Sequence, residues 1–248
     1  MTTGSVLLEQ LTWVEAESAL TPDSVVLIPL GAAAKEHGPH LRLNNDWAIA
    51  AYLTRRVLDA TQVVVAPGVS YHYYPAFVEY PGSVTLRLET ARDLVIDICA
   101  SLSAFGPRRF YVLNTGVSTL LALRPAADAL AARGLLMRYT DIRAVGRAKA
   151  SSVREQEGGS HADEIETSLM LFIEPEAVDM GRAVRDYHPG DGPLTRRCGA
   201  PGTYSPTGVH GDATLASWAK GRDVATAMVS GILAEIARLR SEPLPAAA

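Results

Sequence analysis

Apolar residues along this chain follow two alternating rhythms. SVVLIPLG (24–31), VVVAP (63–67), RFYVLN (109–114) and LLMRYTD (135–141) are short β-rich apolar runs. Each predicts a strand, and 24–31 and 63–67 read as buried ones. Between them the spacing becomes helical. DWAIAAYLTRRVLDA (46–60) places Ile49, Leu53 and Val57 on one face and Arg55 and Arg56 on another. TARDLVIDICASLSAFG (90–106) predicts a helix with Thr90 as N-cap and Gly106 just past its end. TLLALRPAADALAARG (119–134) predicts one that ends at Gly134. SVTLRLE (83–89) reads as a further short strand, and SHADEIETSLMLFIEPEAV (160–178) includes another helix. The last helix covers roughly 213–240, with an interruption expected near Gly221. Residues 68–82 are aromatic and proline-bearing and read as a loop. Residues 183–211, rich in Gly, Pro, Arg and Tyr, read as a long irregular segment of the kind that often carries function. The tail PLPAAA (243–248) is expected to fray.

Strands alternating with helices argue for an α/β fold with a mostly parallel sheet covered on both faces. With no repeat and no low-complexity linker, 1–248 is read as a single domain. In such sheets ligands bind beyond the carboxyl ends of the strands. The segment after strand 24–31 and Asn114, at the end of strand 109–114, start in that place.

Composition narrows the class. The 248 residues are 48% hydrophobic and 20% charged, with a net charge of -4 and no basic stripe, which argues against nucleic acid as a partner. No apolar run reaches the ~18 residues of a membrane span. The N-terminal MTTGSVLLEQLTWVEAE lacks a basic region before its apolar patch, so no signal peptide is expected. Two cysteines give no disulfide framework; Cys99 reads as a core thiol, and a reducing cytoplasm is the expected compartment.

Two stretches carry candidate chemistry. In KEHGPHLRLNND (35–46), His37, His40 and Asp46 form a partial ligand set for zinc or a related ion. By spacing alone, a polar loop whose histidines bond to backbone is an equal reading. In SHADEIETS (160–168), His161, Asp163, Glu164 and Glu166 crowd a helix start, where carboxylates also serve as caps. The tyrosines of SYHYYPAFVEYPG, Tyr73 and Tyr74 among them, suit either a pocket for a small polar substrate or an oligomer interface. In GVHGDATLAS, Asp212 is most simply an N-cap, and His210 lies close by in sequence.

KEHGPHLRLNND, YPGSVTL (80–86), HADEIETSLML (161–171) and GVHGDATLASWAKG (208–221) resemble, in order, the signature segments of the creatininase (creatinine amidohydrolase) family. The resemblance runs from about residue 10 to 235. It implies a three-layer α/β/α fold, a metal centre near the strand ends, amide hydrolysis on a small-molecule substrate, and a homo-oligomer, commonly a hexamer. The family's centre is usually dinuclear, and this chain departs from it. The glutamate ligand of the first block falls on Lys35, and the histidine of the block after strand 109–114 falls on Gly116. The resemblance therefore implies one ion, zinc or manganese, on His37, Asp46 and Glu164, with His161 as acid/base. Lys35 would stand in for the lost ion and polarise substrate. Should the loop slip by a residue, Glu36 would ligate instead; His40 and Glu166 are placed around the ligands, and Tyr73, Tyr74 and Asn114 in the substrate pocket. Two further readings stay open: metal-assisted ring opening or isomerisation of a cyclic ketone or sugar-like substrate, and a non-catalytic scaffold or ligand-binding member.

Overall fold

A computed structural model describes residues 4–247. The first three residues of the segment read for a signal peptide, and the last residue of the tail, lie outside that range. The order along the chain is β1 (Val6–Leu7), α1 (Trp13–Ala19), β2 (Val25–Leu30), α2 (Asn45–Ala60), β3 (Val64–Val65), α3 (Leu88–Ser103), β4 (Arg109–Asn114), α4 (Leu120–Ala131), β5 (Leu136–Tyr139), α5 (Arg147–Val153), α6 (Glu164–Ile173) and α7 (Trp218–Ser241). The five strands form one parallel sheet in the order β1-β3-β2-β4-β5.

Every residue of β2 is buried, as its unbroken apolar run requires. Alternation then splits the strand between two cores. Val25 and Leu27 join Tyr111 and Leu113 against α2, α6 and α7. Val26, Ile28 and Leu30 join Phe110 and Val112 against α3 and α4. The result is the expected three-layer α/β/α arrangement. From β2 the chain crosses to β3 on one side, and the later β4 pairs on the other. The crevice where strand order reverses lies at the carboxyl ends of β2 and β4.

Some local expectations change. SVTLRLE makes no ladder: Val84 and Leu86 donate their amides to the carbonyls of Ala34 and His72, and the segment runs extended into α3. That helix begins at Leu88 after Arg87, so Thr90 lies inside it. The short β1, α1 and α5 are additions, β1 being too brief to leave a pattern. Residues 183–211 are irregular apart from two-residue strand pairings. α7 runs through Gly221 without interruption. Gly221 is there for contact: a Cβ would stand 1.8 Å from the Ser168 carbonyl oxygen, so α6 and α7 touch backbone to backbone at this point. Asp212 does cap a helix, a single turn at Ala213–Leu215, while α7 is capped by Ser217. Among the described residues no helix is long and apolar enough to cross a membrane.

Candidate metal centre

β2 ends against the start of α2, and this contact sets Asp46. A Cβ on Gly31 would lie 2.5 Å from the Asp46 carbonyl oxygen, so glycine lets the helix approach the strand end. The Thr115 hydroxyl, just past β4, donates to that same oxygen at 2.9 Å. The Asp46 side chain thus projects from the first turn of α2, where the helix dipole favours a carboxylate.

The loop between β2 and α2 folds back over it. The Lys35 amide donates to the Leu43 carbonyl, and Gly38 takes a left-handed turn at φ 69°. Lys35 consequently faces inward: its Nζ lies 2.7 Å from Asp46 Oδ2, with both side chains buried. The register question is answered in favour of Lys35. Glu36 points elsewhere, to His161 Nε2 at 2.7 Å. Burial would raise the Asp46 pKa, but Lys35 and His37 together hold it well below the usual carboxylate range.

Both histidines of the centre have acceptors on each ring nitrogen. His37 Nδ1 donates to the Lys35 carbonyl at 2.9 Å, and its Nε2 lies 3.0 Å from Asp46 Oδ1. His161 Nε2 donates to the carboxylate and carbonyl oxygens of Glu36, and its Nδ1 lies 3.5 Å from Glu166 Oε2. Burial works against a charge on His161, yet Glu36 and Glu166 outweigh it and raise its pKa. The Ala162 amide fixes Glu166 Oε2, and Ala162 itself sits at φ 47°, the turn that brings His161 and Glu166 to one side. His37, His161 and Glu166 each offer a ligand atom within 4.8 Å of the other two.

Glu164 is not among them. Its carboxylate accepts the amides of Glu155 and Gln156 and the ammonium of Lys220, at 2.6 Å from Nζ. The expected third ligand thus faces away from the histidines, and Glu166 stands beside them instead. Positions two apart on a helix are about 200° apart around its axis, so the two glutamates face opposite ways. Asp163 caps α6 through the amides of Ile165 and Glu166. His40 reaches Thr167 Oγ1 at 2.8 Å, and burial pushes its pKa down to about 4.

A cleft of about 930 Å³ opens onto the centre, with Lys35, Phe77, His161 and Glu166 on its wall. The three residues assigned to the substrate pocket lie behind or beside it. Asn114 is fully buried, with its amide bonded to Gly116, Thr119 and Thr140. Tyr74 is buried with its ring 5.9 Å from Lys35 Nζ, and Tyr73 meets Ser118 through its backbone carbonyl. The aromatic that does line the cleft is Phe77, whose ring lies 4.6 Å from Lys35 Nζ. It stands in the same tyrosine-rich stretch, where spacing does not tell one ring from another.

A parallel α/β scaffold thus carries a buried histidine–carboxylate centre at its strand ends, beside an open cleft. The chain belongs to the creatininase family: the match, to creatinine amidohydrolase, spans residues 9–236. It is 31% identical to a creatinine amidohydrolase of Pseudomonas putida, over 92% of this chain and 95% of that one. It is 30% identical to a mycofactocin precursor peptide peptidase of Mycobacterium ulcerans (strain Agy99), over 88% and 86%. A solved structure, "Creatininase Mn", superimposes with a TM-score of 0.78 at 25% identity, covering 96% of this chain and all of that one. A mutant creatininase of "Zn-Zn type" superimposes with 0.77.

Proposed function

We propose that this creatininase-family hydrolase cleaves a C–N bond of a small polar amide or lactam and works with one divalent ion per chain, zinc or manganese. The observation that carries the reading is the charge balance of the centre. With neutral imidazoles, Lys35 stands against three carboxylates, Glu36, Asp46 and Glu166, and two negative charges are left over. On each histidine one nitrogen donates to an acceptor, so the other turns a lone pair toward a carboxylate. Such a juxtaposition requires a cation or protons between the partners. One divalent ion balances the centre, whereas two would overcharge it. The donor atoms that converge are those of His37, His161 and Glu166, and these are the residues that would hold it, with Asp46 beside His37. Their imidazole and carboxylate donors suit zinc or manganese, and the Lys35 carbonyl on His37 and the Glu36 carboxylate on His161 orient both rings. A bound ion supplies Lewis-acid activation of water and of the carbonyl.

The chain's own groups would do the rest. Lys35 gives one N–H to Asp46 and turns the others to the cleft, where they hydrogen-bond the substrate carbonyl oxygen as negative charge develops on it. Glu36 keeps His161 Nε2 protonated, which leaves the Nδ1 lone pair facing Glu166 and the ion. Phe77 walls the ammonium from bulk water and strengthens these contacts. A small-molecule substrate, a homo-oligomer and a cytoplasmic location complete the reading.

Metal analysis coupled to an amide and lactam panel tests it. Zinc- or manganese-loaded protein should hold one ion per chain, lose hydrolysis on chelation and regain it with one equivalent. Two ions per chain, or undiminished turnover after chelation, would overturn it.

A further inference from the structure

The cleft extends well past the centre, and one helix forms its distal wall. Four residues of the α5 region line it: Arg147, Ala150, Ser151 and Arg154. Their spacing of three, four and seven puts them on one face of a helix. That face is two guanidiniums flanking two small side chains. Seven residues of helical rise separate the arginines by about 10 Å.

The partners of these cations differ. Arg143, also on the cleft, is engaged by Asp141, at 3.5 Å from Nε. Arg154 stands near Asp163 at the start of α6; burial raises the Asp163 carboxyl, and Arg154 works in the opposite sense. Among the described residues Arg147 has no carboxylate within ion-pair distance, although it is exposed on a concave wall. The acidic residues that also border the cleft do not change this. Asp141 is tied to Arg143, Asp163 caps α6, Glu166 accepts the Ala162 amide beside His161, and Asp191 comes from the irregular 183–211 segment. The volume of about 930 Å³ lies near the top of the ~300–1,000 Å³ usual for small-molecule sites, more than a single small ring fills.

We propose that the α5 face binds a carboxylate of the ligand, with Arg147 as its principal anchor, so that the preferred substrate is an acidic, extended amide of short-peptide size. This rests on the hydrolase reading for the word substrate, while the anion site itself does not. Guanidinium suits a planar carboxylate because it donates two parallel N–H bonds. The uncharged end would reach Lys35 and His161, and the acidic end would lie along α5.

The test is binding, measured without turnover by ligand-observed NMR titration of the metal-loaded protein. The probes are glutarate and its neutral counterpart glutaramide. Glutarate should bind at least tenfold tighter, and the preference should weaken with added salt. Arg147→Gln should abolish the preference, Arg147→Lys should retain part of it, and both variants should melt like the parent. Arg55→Gln, at an exposed position of α2, should leave it intact. Equal binding of the two probes, persistence of the preference in Arg147→Gln, or equal loss in Arg55→Gln would each overturn the inference. If amide hydrolysis fails but the Arg147-dependent preference is found, the hydrolase reading falls and the anion site stands. If hydrolysis is found without the preference, the reverse holds.

Discussion

Two ammonium–carboxylate pairs, one buried and one partly buried, sit within this fold, and they are nearly identical in length. Lys35 Nζ lies 2.7 Å from Asp46, and Lys220 Nζ lies 2.6 Å from Glu164. Their surroundings are opposite. Lys220 has three acceptors, Glu164, Glu155 and the Leu215 carbonyl, one for each ammonium hydrogen. Glu164 in turn accepts two backbone amides, so that pair is saturated. Lys35 has Asp46 as its acceptor among the described residues, and aromatic rings beyond it. Asp46 shares its other oxygen with a histidine nitrogen rather than with a backbone donor. A saturated pair ties α6 to α7, whereas an unsaturated one at the wall of a cleft retains bonding capacity for a ligand. Saturation, more than distance, separates scaffold from site.

The comparison breaks most visibly if Glu164 is removed. Glu164→Ala leaves Lys220 and two amides without their partner and should cost roughly 3–5 kcal/mol of stability. Urea unfolding would measure this, and the folded fraction should still bind its ion. A loss of ion binding with little change in stability would return Glu164 to the metal centre. Lys35→Met should act the other way. Turnover should fall by about 10²–10³, the size seen when one oxyanion donor is removed, with the ion retained. An unchanged kcat would show that the ammonium only balances charge.

Acid should sharpen the contrast between histidines. Burial pushes His40 and His72 down to about 4, so the unfolded chain takes up protons near 6.5 that the folded chain refuses. Stability should therefore fall as pH drops from 7 toward 4, by up to about 3 kcal/mol for each. His161, with its pKa raised, contributes in the opposite sense. Its share is full below the unfolded value and is lost as pH rises through the folded one. Unfolding midpoints at pH 7, 6 and 5 check the first trend, and His72→Phe should remove its part of the acid loss. The smallest effect is expected at Glu155, the exposed third partner of Lys220. Glu155→Gln should change stability by less than about 1 kcal/mol; a larger loss by the same urea measurement would mean that Lys220 depends on the rim and not on Glu164.

Much of this was legible in the chain. β2 and β4 are continuous apolar runs with glycine or polar residues at their ends, a pattern that suits a central parallel strand. KEHGPH announced a ligand loop, and both Lys35 and Glu36 turn inward, to different partners, so spacing could not say which would meet Asp46. Lys35 wins because a backbone bond to Leu43 and the turn at Gly38 set the register, and neither is visible in spacing. The choice between Glu164 and Glu166 depends on the rotation of α6 about its axis. That rotation is fixed by Asp163, Gln156 and Lys220, the last of which lies 56 residues away from Glu164. Asn114 misled for a related reason. A polar residue at a strand end suits a ligand or a turn equally well, and here Gly116, Thr119 and Thr140 saturate it.

Gly221 shows how far such constraints reach. It lies on α7, outside the cleft, yet its missing side chain sets how closely α7 lies against the helix that begins with both glutamates. In a saturation library, position 221 would form a narrow intolerant column beside permissive neighbours such as Arg222. Even alanine there would part the two helices and misaim Glu166 without touching it. Loss of activity at this codon would report on alignment, and a search confined to residues that contact substrate would pass it by.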